Sequence, residues 1–482
     1  MNRESARDEA SPARQILDAS RKQLGAERVL TSPEDLARYA GVFWLRRTKG
    51  VSDRFPLGAP AGVVRPRNAG DVAEILRQAG AGGVPIVPYG AGTAVMGSTL
   101  PIQGSIVLDL GALNQVLTIE KENRLARVQP GVVLADLARA AEEHGLLFAH
   151  DPWSQPIATV GGAVGTNGMG YLAAGYGSMG QQVRGLTVVL ADGTVVSWPG
   201  AAKTAVGPDL GHLFVGAEGT LGVIVEVVVQ LFPWPERREF LAYRFPSFAE
   251  GFAAIVAMDA LGLHPAMIDY EEEEGEPFQM PANLFLAFDG PEAVVRAAAR
   301  RAKQICQVND GLPRERGAAR KFWTGRHESA EWFIQRVNGP RTEEFEPAPR
   351  VEWRYVDVAV PTDRVLDYCR EVMTIADRNQ VGVHSFGIWA RPELVSFLLE
   401  GSNQPEREPE MSGRGGPLDR AMDEALTLAR SEGGSIEYCH GVGVRLAHLL
   451  PIELGAGVDL LRRIKHALDP GDVLNPGKLG IE

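Results

Sequence analysis

The chain has 482 residues, of which 45% are hydrophobic and 23% are charged. These values are typical of a soluble globular protein of about three domains, and they exclude a mostly disordered chain, a collagen-like rod and a coiled coil. The formal net charge is −12 and the sequence has no basic tract, so we do not expect nucleic acid as a partner.

Three cysteines are far apart in the chain and odd in number: Cys306, Cys369 and Cys439. They provide neither a disulfide framework nor a zinc knuckle, which favours a reducing compartment such as the cytoplasm.

Residues 1–14 are charged and lack the apolar core of a secretion signal. Residues 152–183 carry no charge, but eight of the twenty residues in 161–180 are glycine, so we predict buried loops and no transmembrane segment.

The first half of the chain alternates short apolar strands with amphipathic helices. Residues 12–40 are predicted to be helical, with Ser32 as a helix cap before a proline and two acidic residues. An Asp-Gly turn predicts a hairpin over 186–198. The other predicted elements of this half are helices at 71–78 and 133–144 and strands at 85–90, 105–110, 124–130 and 222–232.

A second region, from about 236 to 430, carries predicted strands at 284–290 and 355–361, each followed by a helix. Its acidic, polar loops are predicted to be solvated, and they lie at 271–276, 340–350 and 401–416. The last region, 431–482, ends in a predicted helix at 459–468 and the tight sequence DPGDVLNPGK.

Glycine accounts for 55 of the 482 residues, well above the average of roughly 7%. The excess is clustered at 88–98, 158–168 and 216–224, each on the edge of a predicted strand. Glycine lets the backbone approach a phosphate closely and turn successive N–H groups toward it, and threonine and serine add hydroxyl donors. Each cluster alone is equally typical of a tight turn, but three in order favour an anion-binding site.

Two common phosphate-binding motifs do not fit these clusters. Gly90 and Gly92 follow a strand as in a Rossmann site, but Val95 stands where the third glycine is needed and no helix clearly follows. A Walker loop also fails, because the sequence contains no Gly-Lys-Ser/Thr.

The clusters stand in the order PYGAGT, DPWSQPIATVGGAVGTN and LFVGAEGTLGVI, followed near the C-terminus by HGVG and LNPGK. This order resembles the vanillyl-alcohol oxidase / p-cresol methylhydroxylase (PCMH) superfamily of flavoproteins. Within it, the sequence is similar to the FAD-linked oxidase C-terminal group, which holds D-lactate and glycolate dehydrogenases and alkyldihydroxyacetone-phosphate synthase. The resemblance covers 63–232 and 434–480, and the middle region matches only in outline.

The resemblance implies an α+β fold with a two-subdomain PCMH-type FAD-binding domain and an α/β cap over the flavin. The expected divisions are an N-terminal helical segment (1–57), the FAD-binding domain (58–235), the cap or substrate domain (236–430) and a C-terminal segment that returns to the flavin (431–482).

The resemblance also assigns residues to the cofactor. The first cluster would cradle the FAD pyrophosphate through Pro88, Tyr89, Gly90, Ala91, Gly92, Thr93, Gly97 and Ser98. The second would wrap the pyrophosphate and the isoalloxazine edge, and the residues assigned there are Pro152, Thr159, Gly161, Gly162, Gly165, Thr166 and Tyr176. The third would surround the ribose and adenine through Glu218, Gly219, Gly222, Val223 and Ile224, and Asn475 would lie near the flavin ring. The first loop contains no histidine, so we expect non-covalent FAD.

His440, in the glycine-rich stretch 435–443, is the leading candidate for chemistry. A pKa near neutrality suits a general base for the O–H of an alcohol while hydride passes to flavin N5. The residues alone favour a histidine hydrogen-bonded in a turn over a catalytic one, and the resemblance favours the catalytic role. Relatives have Glu-His-Gly or His-His-His-Gly here, whereas Tyr438 and Cys439 precede His440 in this chain. Tyr438 would hydrogen-bond the reacting oxygen.

Arg326 is the second candidate, because the resemblance places an arginine after a tryptophan where it would pair a substrate carboxylate or phosphate. The alternative is a surface arginine beside Glu328 and Glu331. His327 is expected to be structural. Three further residues are expected either to line the pocket or to pack in the core: Tyr355, His384 and Trp389.

One motif of D-2-hydroxy-acid dehydrogenases, the metal-binding Gly-His-x-x-x-Gly-Asn-x-His, is not preserved. In the corresponding stretch, 385–391, Ile388 replaces the first histidine and no downstream pair follows. We therefore expect no metal there, which argues against simple D-lactate as the substrate. Tryptophans of the cap indicate a bulkier or aromatic substrate, or else fill its core: Trp323, Trp332, Trp353 and Trp389.

The predicted function is FAD-dependent oxidation of a C–OH centre in a small 2-hydroxy acid or aromatic alcohol. Oxygen, a cytochrome or another redox protein would accept the electrons, and a homodimer would be unsurprising. The alternative is a transferase like alkyldihydroxyacetone-phosphate synthase, without net redox chemistry, which the sequences at 440–443 and 207–209 favour. A non-catalytic flavin scaffold is the third hypothesis.

Overall fold

The computed structural model describes residues 11–39, 56–330, 353–401 and 416–481. The predicted loop at 340–350 and nearly all of the one at 401–416 lie outside the described residues, as does Trp332.

The first sheet is small and largely parallel. Its strand order is β1-β2-β4-β3, with β1 antiparallel to β2, and its strands are β1 (Val29–Leu30), β2 (Gly62–Val64), β3 (Ile86–Tyr89) and β4 (Ile106–Asp109). The run of aliphatic residues in β4 is buried throughout, because neighbouring elements cover both faces of the sheet.

The second sheet is antiparallel and follows the order β5-β6-β10-β8-β9, while β7 and β11 form a separate ribbon. The predicted hairpin at 186–198 is its β8–β9 pair. The strands are β5 (Val116–Glu120), β6 (Leu125–Val128), β7 (Leu146–Leu147), β8 (Val183–Val189), β9 (Val195–Trp198), β10 (Val223–Gln230) and β11 (Phe232–Pro233).

The third sheet has the order β15-β12-β14-β13-β17-β18-β16, with every pair antiparallel. Alternate residues of its strands enter one apolar core beneath helices, which leaves the opposite face for other contacts. The strands are β12 (Arg237–Phe245), β13 (Met267–Glu272), β14 (Ala282–Gly290), β15 (Leu312–Pro313), β16 (Trp353–Ala359), β17 (Gly382–Trp389) and β18 (Leu394–Glu400).

Helices connect and cover these sheets. Within the part of the chain that the structure describes, none is both long enough and apolar enough to span a membrane. The α-helices are α1 (Pro12–Leu24), α2 (Pro33–Ala37), α3 (Ala69–Gly82), α4 (Leu134–Glu142), α5 (Val160–Thr166), α6 (Ala173–Tyr176), α7 (Met179–Gln182), α8 (Phe248–Ala260), α9 (Glu292–Val308), α10 (Ala318–Gly325), α11 (Val365–Asn379), α12 (Pro417–Ser431), α13 (Leu450–Leu454) and α14 (Gly457–Leu468).

Two local predictions differ from the structure. The helix expected over 12–40 stops at Gly25, whose φ of +103° is incompatible with a continuing helix, and Val29–Leu30 then joins the first sheet.

The acidic run at 271–276 is not wholly a solvated loop. Glu271 and Glu272 end β13, and the buried Glu272 carboxylate accepts the backbone N–H groups of Phe278 and Phe386.

The C-terminal segment packs back onto the first sheet. The N–H of Ile86 donates to the carbonyl of Val473 at 2.7 Å, and the N–H of Asn475 donates to the carbonyl of Ile86 at 2.8 Å. Lys465 of α14 lies beneath this connection with a buried ammonium group. It donates to the carbonyls of Thr220 at 3.0 Å and Leu474 at 2.8 Å and pairs with Asp469.

We predict that Lys465→Met destabilises the fold by about 3–5 kcal/mol, because it leaves the buried Asp469 carboxylate without its cation. Arg463→Met, at an exposed position of the same helix, is the matched control. Chemical unfolding followed by circular dichroism measures both variants, and equal stabilities would contradict a bracing role for Lys465.

Candidate active site

The three glycine clusters meet at one cleft between the first two sheets and the cap. The cleft is open to solvent at its mouth, and residues of all three glycine clusters form much of its wall. The predicted cofactor residues in its wall are Pro88, Tyr89, Gly90, Ala91, Gly92, Thr93, Ser98, Pro152, Thr159, Gly161, Gly162, Gly165, Thr166, Glu218, Gly219, Gly222, Val223 and Ile224.

Three predicted cofactor residues are not part of this wall. Gly97 lies in the first loop with a positive φ of +81°. Tyr176 donates its hydroxyl to Asp289 at 3.2 Å. The buried Asn475 lies behind the wall, where its amide donates to the carbonyls of Ser98 at 3.0 Å and Glu218 at 2.7 Å. Asn475 therefore connects the first and third glycine clusters.

The cleft fits a cofactor that is held by backbone groups. The short helix α5 begins at its wall, where the side chain of Thr159 accepts the N–H of Gly162 at 3.4 Å. A Cβ atom placed on Gly165 would meet no protein atom within 4 Å, so this glycine leaves space on the cleft side of the helix. A pyrophosphate can approach the backbone closely only where no side chain intervenes, as at this glycine. Backbone N–H groups can then bind the phosphates, so a lysine is not needed for this purpose.

Glu218 links the third cluster to the C-terminal loop. Its buried carboxylate accepts the N–H of Val442 at 2.6 Å and that of Gly443 at 2.9 Å. Burial raises the pKa of Glu218 to about 7 despite these two donors. The carboxylate therefore holds the loop that carries His440, besides lining the cleft.

His440 lies in the cleft wall, as the catalytic prediction requires. Its Nδ1 is 3.1 Å from the carboxylate of Asp357 and 3.9 Å from that of Glu437. Burial alone would lower the pKa of His440, but the adjacent Cys439 and the Asp357 carboxylate outweigh it and hold this pKa well above its ordinary value. Tyr438 is not in the cleft wall, and burial raises the pKa of its hydroxyl.

Sequence reasoning missed the two carboxylates that surround His440. Asp357 is a buried polar residue within the apolar strand β16, which is the signal that could have found it. Glu437 accepts the backbone N–H groups of Cys439 at 2.6 Å and of His440 at 2.7 Å, and burial raises its pKa to about 7. These three side chains also bring possible metal-ligand atoms within 4.8 Å of one another. The sequence predicts no metal site, and that expectation stays a prediction.

Arg326 is neither a surface residue nor part of the cleft wall. Its Nε donates to the buried Asp151 at 2.8 Å, and His327 contacts the other carboxylate oxygen at 2.7 Å. The guanidinium carbon lies 3.6 Å from the ring centroid of Trp323. A salt bridge therefore fixes Arg326 to Asp151, the residue that follows the cleft-lining His150 in the sequence.

The cap contributes aromatic residues to the site. Trp389 of the cap lines the cleft, and Tyr171 of the FAD-binding domain packs edge-on against it at a centroid distance of 5.6 Å. Tyr355 lies on the same sheet and is 48% exposed. His384 is absent from the cleft wall and packs against Trp353 at 5.4 Å.

Comparison with known protein families identifies the chain. Residues 60–198 match the model of an FAD binding domain, and residues 234–479 match that of the C-terminal domain of FAD linked oxidases. The chain belongs to the FAD-linked oxidase family. The resemblance seen in the sequence is thereby confirmed, and this chain is an FAD-dependent oxidoreductase that acts on CH–OH groups.

Individual proteins agree with this assignment. Glycolate oxidase subunit GlcD of Bacillus subtilis is 31% identical over 87% of this chain and 89% of its own length. A solved structure of alkyldihydroxyacetonephosphate synthase has a TM-score of 0.75 at 17% identity, covering 95% of this chain and 85% of that one. Substrate-bound p-cresol methylhydroxylase also gives 0.75 at 17% identity, with 98% and 97% covered. The predicted α+β fold with a PCMH-type FAD-binding domain is confirmed.

We predict that Gly165→Leu folds but is purified without FAD, because the new side chain projects into the cleft instead of into protein. Gly80→Leu is the matched control, since it also lies in a helix and is exposed away from the cleft. Visible absorption measures the flavin, and acid precipitation of the unsubstituted protein should release it into the supernatant. A Gly165→Leu protein with full flavin content would contradict the placement of the cofactor.

Proposed function

We propose that this FAD-linked oxidase oxidises a C–OH centre of a small 2-hydroxy acid or aromatic alcohol with His440 as the general base. The observation that supports the proposal most directly is the contact of 3.1 Å between His440 Nδ1 and Asp357 in the wall of the cleft. A histidine backed by a carboxylate is suited to accept a proton and to remain charged while the reaction proceeds.

The protein side of the reaction is a proton transfer. Because the Asp357 carboxylate lies 3.1 Å from Nδ1, we assign Nε2 of His440 as the atom that takes the hydroxyl proton of the substrate, and the same carboxylate stabilises the resulting imidazolium by its charge. Glu218 and Glu437 fix the loop through its backbone N–H groups. When bound, FAD supplies the hydride acceptor, its N5 atom.

The similar proteins support two substrate classes. The relative from Bacillus subtilis is named a glycolate oxidase, and glycolate is a 2-hydroxy acid. The structural neighbour p-cresol methylhydroxylase is named after p-cresol, which is an aromatic compound. We propose in addition that FAD is bound non-covalently and that oxygen, a cytochrome or another redox protein reoxidises it.

We predict that His440→Gln retains FAD but loses about 10²–10⁴-fold in the rate of flavin reduction, because no group replaces the base. Anaerobic bleaching of the flavin with a panel of hydroxy acids and aromatic alcohols measures it. His384→Gln, a cap histidine outside the cleft wall, is the control and should reduce normally. Unchanged rates in His440→Gln would remove it from the mechanism, and turnover without any electron acceptor would indicate synthase chemistry instead.

We also predict that kcat/KM rises with pH through the raised pKa of His440, because only the neutral imidazole accepts a proton. In Asp357→Asn the carboxylate that favours the imidazolium is lost, so the acidic limb of the profile moves about 1–2 units toward lower pH. Asp367→Asn, exposed on the same cap, should leave the profile unchanged. An acidic limb that stays in place in Asp357→Asn would contradict the coupling.

A further inference from the structure

One histidine of the cleft wall has no role in the contacts described so far. His150 lines the cleft, although its surface is only 2% exposed. Its Nδ1 atom is buried, and among the residues that the structure describes no group forms a hydrogen bond with this atom. Because an unpaired polar atom in the interior is unfavourable, its presence in the wall of a cleft indicates a partner that binds there.

The nearest carboxylate in the chain is already engaged by other groups. Asp151 follows His150, but its two oxygens contact Arg326 at 2.8 Å and His327 at 2.7 Å. Burial lowers the pKa of His150 to about 4, although the charge of Asp151 opposes this shift. The imidazole is therefore neutral at neutral pH, and a neutral imidazole offers one N–H donor and one acceptor nitrogen.

His150 and His440 lie at the same end of the cleft. A Cβ atom placed on Gly168 would be 3.6 Å from Cε1 of His150 and 3.6 Å from Oγ1 of Thr166. One placed on Gly441, the residue after His440, would be 3.7 Å from Cβ of Thr166. Thr166, which also lines the cleft, is thus a neighbour of both segments. The proposed function brings the flavin ring to this end, because the base acts beside the hydride acceptor.

We propose that His150 is a flavin-binding residue, whose neutral imidazole donates an N–H to an acceptor atom of the isoalloxazine ring. The inference rests on the proposed function, which places the ring at the end of the cleft that His440 occupies. Reduction adds electron density to the acceptor atoms of the ring, so an N–H donor stabilises the reduced flavin more than the oxidised flavin. His150 therefore contributes to FAD affinity and raises the reduction potential, whereas His440 exchanges a proton with the substrate.

The test uses the FAD-loaded full chain. In His150→Leu, which has no hydrogen-bonding side chain, we expect the dissociation constant of oxidised FAD to rise about tenfold, measured from the flavin fluorescence that dilution of the holoenzyme releases. Reduced FAD should lose about a further tenfold in affinity, so a redox titration should show a midpoint potential lower by about 30 mV. His150→Asn and His150→Gln place an amide N–H near the positions of Nδ1 and Nε2, and at least one of them should restore both values.

His264→Leu is the matched control, because it removes a histidine from an exposed position outside the cleft wall and should change neither value. His150→Met replaces His150→Leu if the latter does not fold. Unchanged FAD affinity and potential in the apolar variant would overturn the inference, as would equal losses in the apolar and both amide variants. A loss of affinity without a change in potential would also overturn it, since His150 would then contact another part of FAD.

These measurements need no substrate, so they separate the inference from the proposed function. Unchanged flavin properties in His150→Leu, with normal reduction by a hydroxy compound, would overturn the inference and leave the proposed function intact. The expected changes in affinity and potential, in a protein that no hydroxy compound reduces, would support the role of His150 and count against the proposed function.

Discussion

The position of His440 depends on one buried carboxylate. Glu218 belongs to the third glycine cluster, and it accepts two N–H groups from the loop that follows His440. Burial of a carboxylate is costly unless such donors compensate it, and the two N–H groups would in turn be orphaned without the carboxylate. Asn475 adds a hydrogen bond to the Glu218 carbonyl. The cofactor cleft and the loop that carries His440 are therefore one structural unit, although they come from distant parts of the chain.

Two carboxylates contact His440 at different groups: Glu437 accepts its backbone N–H, and Asp357 lies beside its ring. Glu437 accepts N–H groups within its own turn and so shapes the loop. Asp357 comes from a strand of the cap and approaches the ring nitrogen itself. Because the second contact crosses from cap to loop, a shift of the cap would change both the orientation of the imidazole and its affinity for a proton. The proposed acid–base role of His440 therefore depends on the contact between the cap and the C-terminal loop.

The sequence predicted those features of the site that depend on neighbouring residues. It did not predict the contacts between residues that are far apart in the chain. The glycine clusters and His440 are local patterns, and all three clusters do meet at one cleft. The partners of the site are not local: Asp151 and Arg326 are 175 residues apart, and nothing in either stretch predicts their salt bridge. The error over 12–40 has a local cause, since Gly25 takes a conformation with φ of +103° and ends the helix that the periodicity predicted.

The salt bridge between Arg326 and Asp151 changes the role that Arg326 can have in the site. As a free guanidinium it would favour an anionic substrate, which is the role that the family resemblance implies. Here Asp151 occupies its Nε, His327 shares the same carboxylate and Trp323 covers one face of the guanidinium plane. The salt bridge with Asp151 leaves little net charge at this position, so Arg326 contributes little to the electrostatic field in the cleft. An arginine at this position of the sequence therefore does not by itself provide an anion-binding group, because its partner decides what charge it presents.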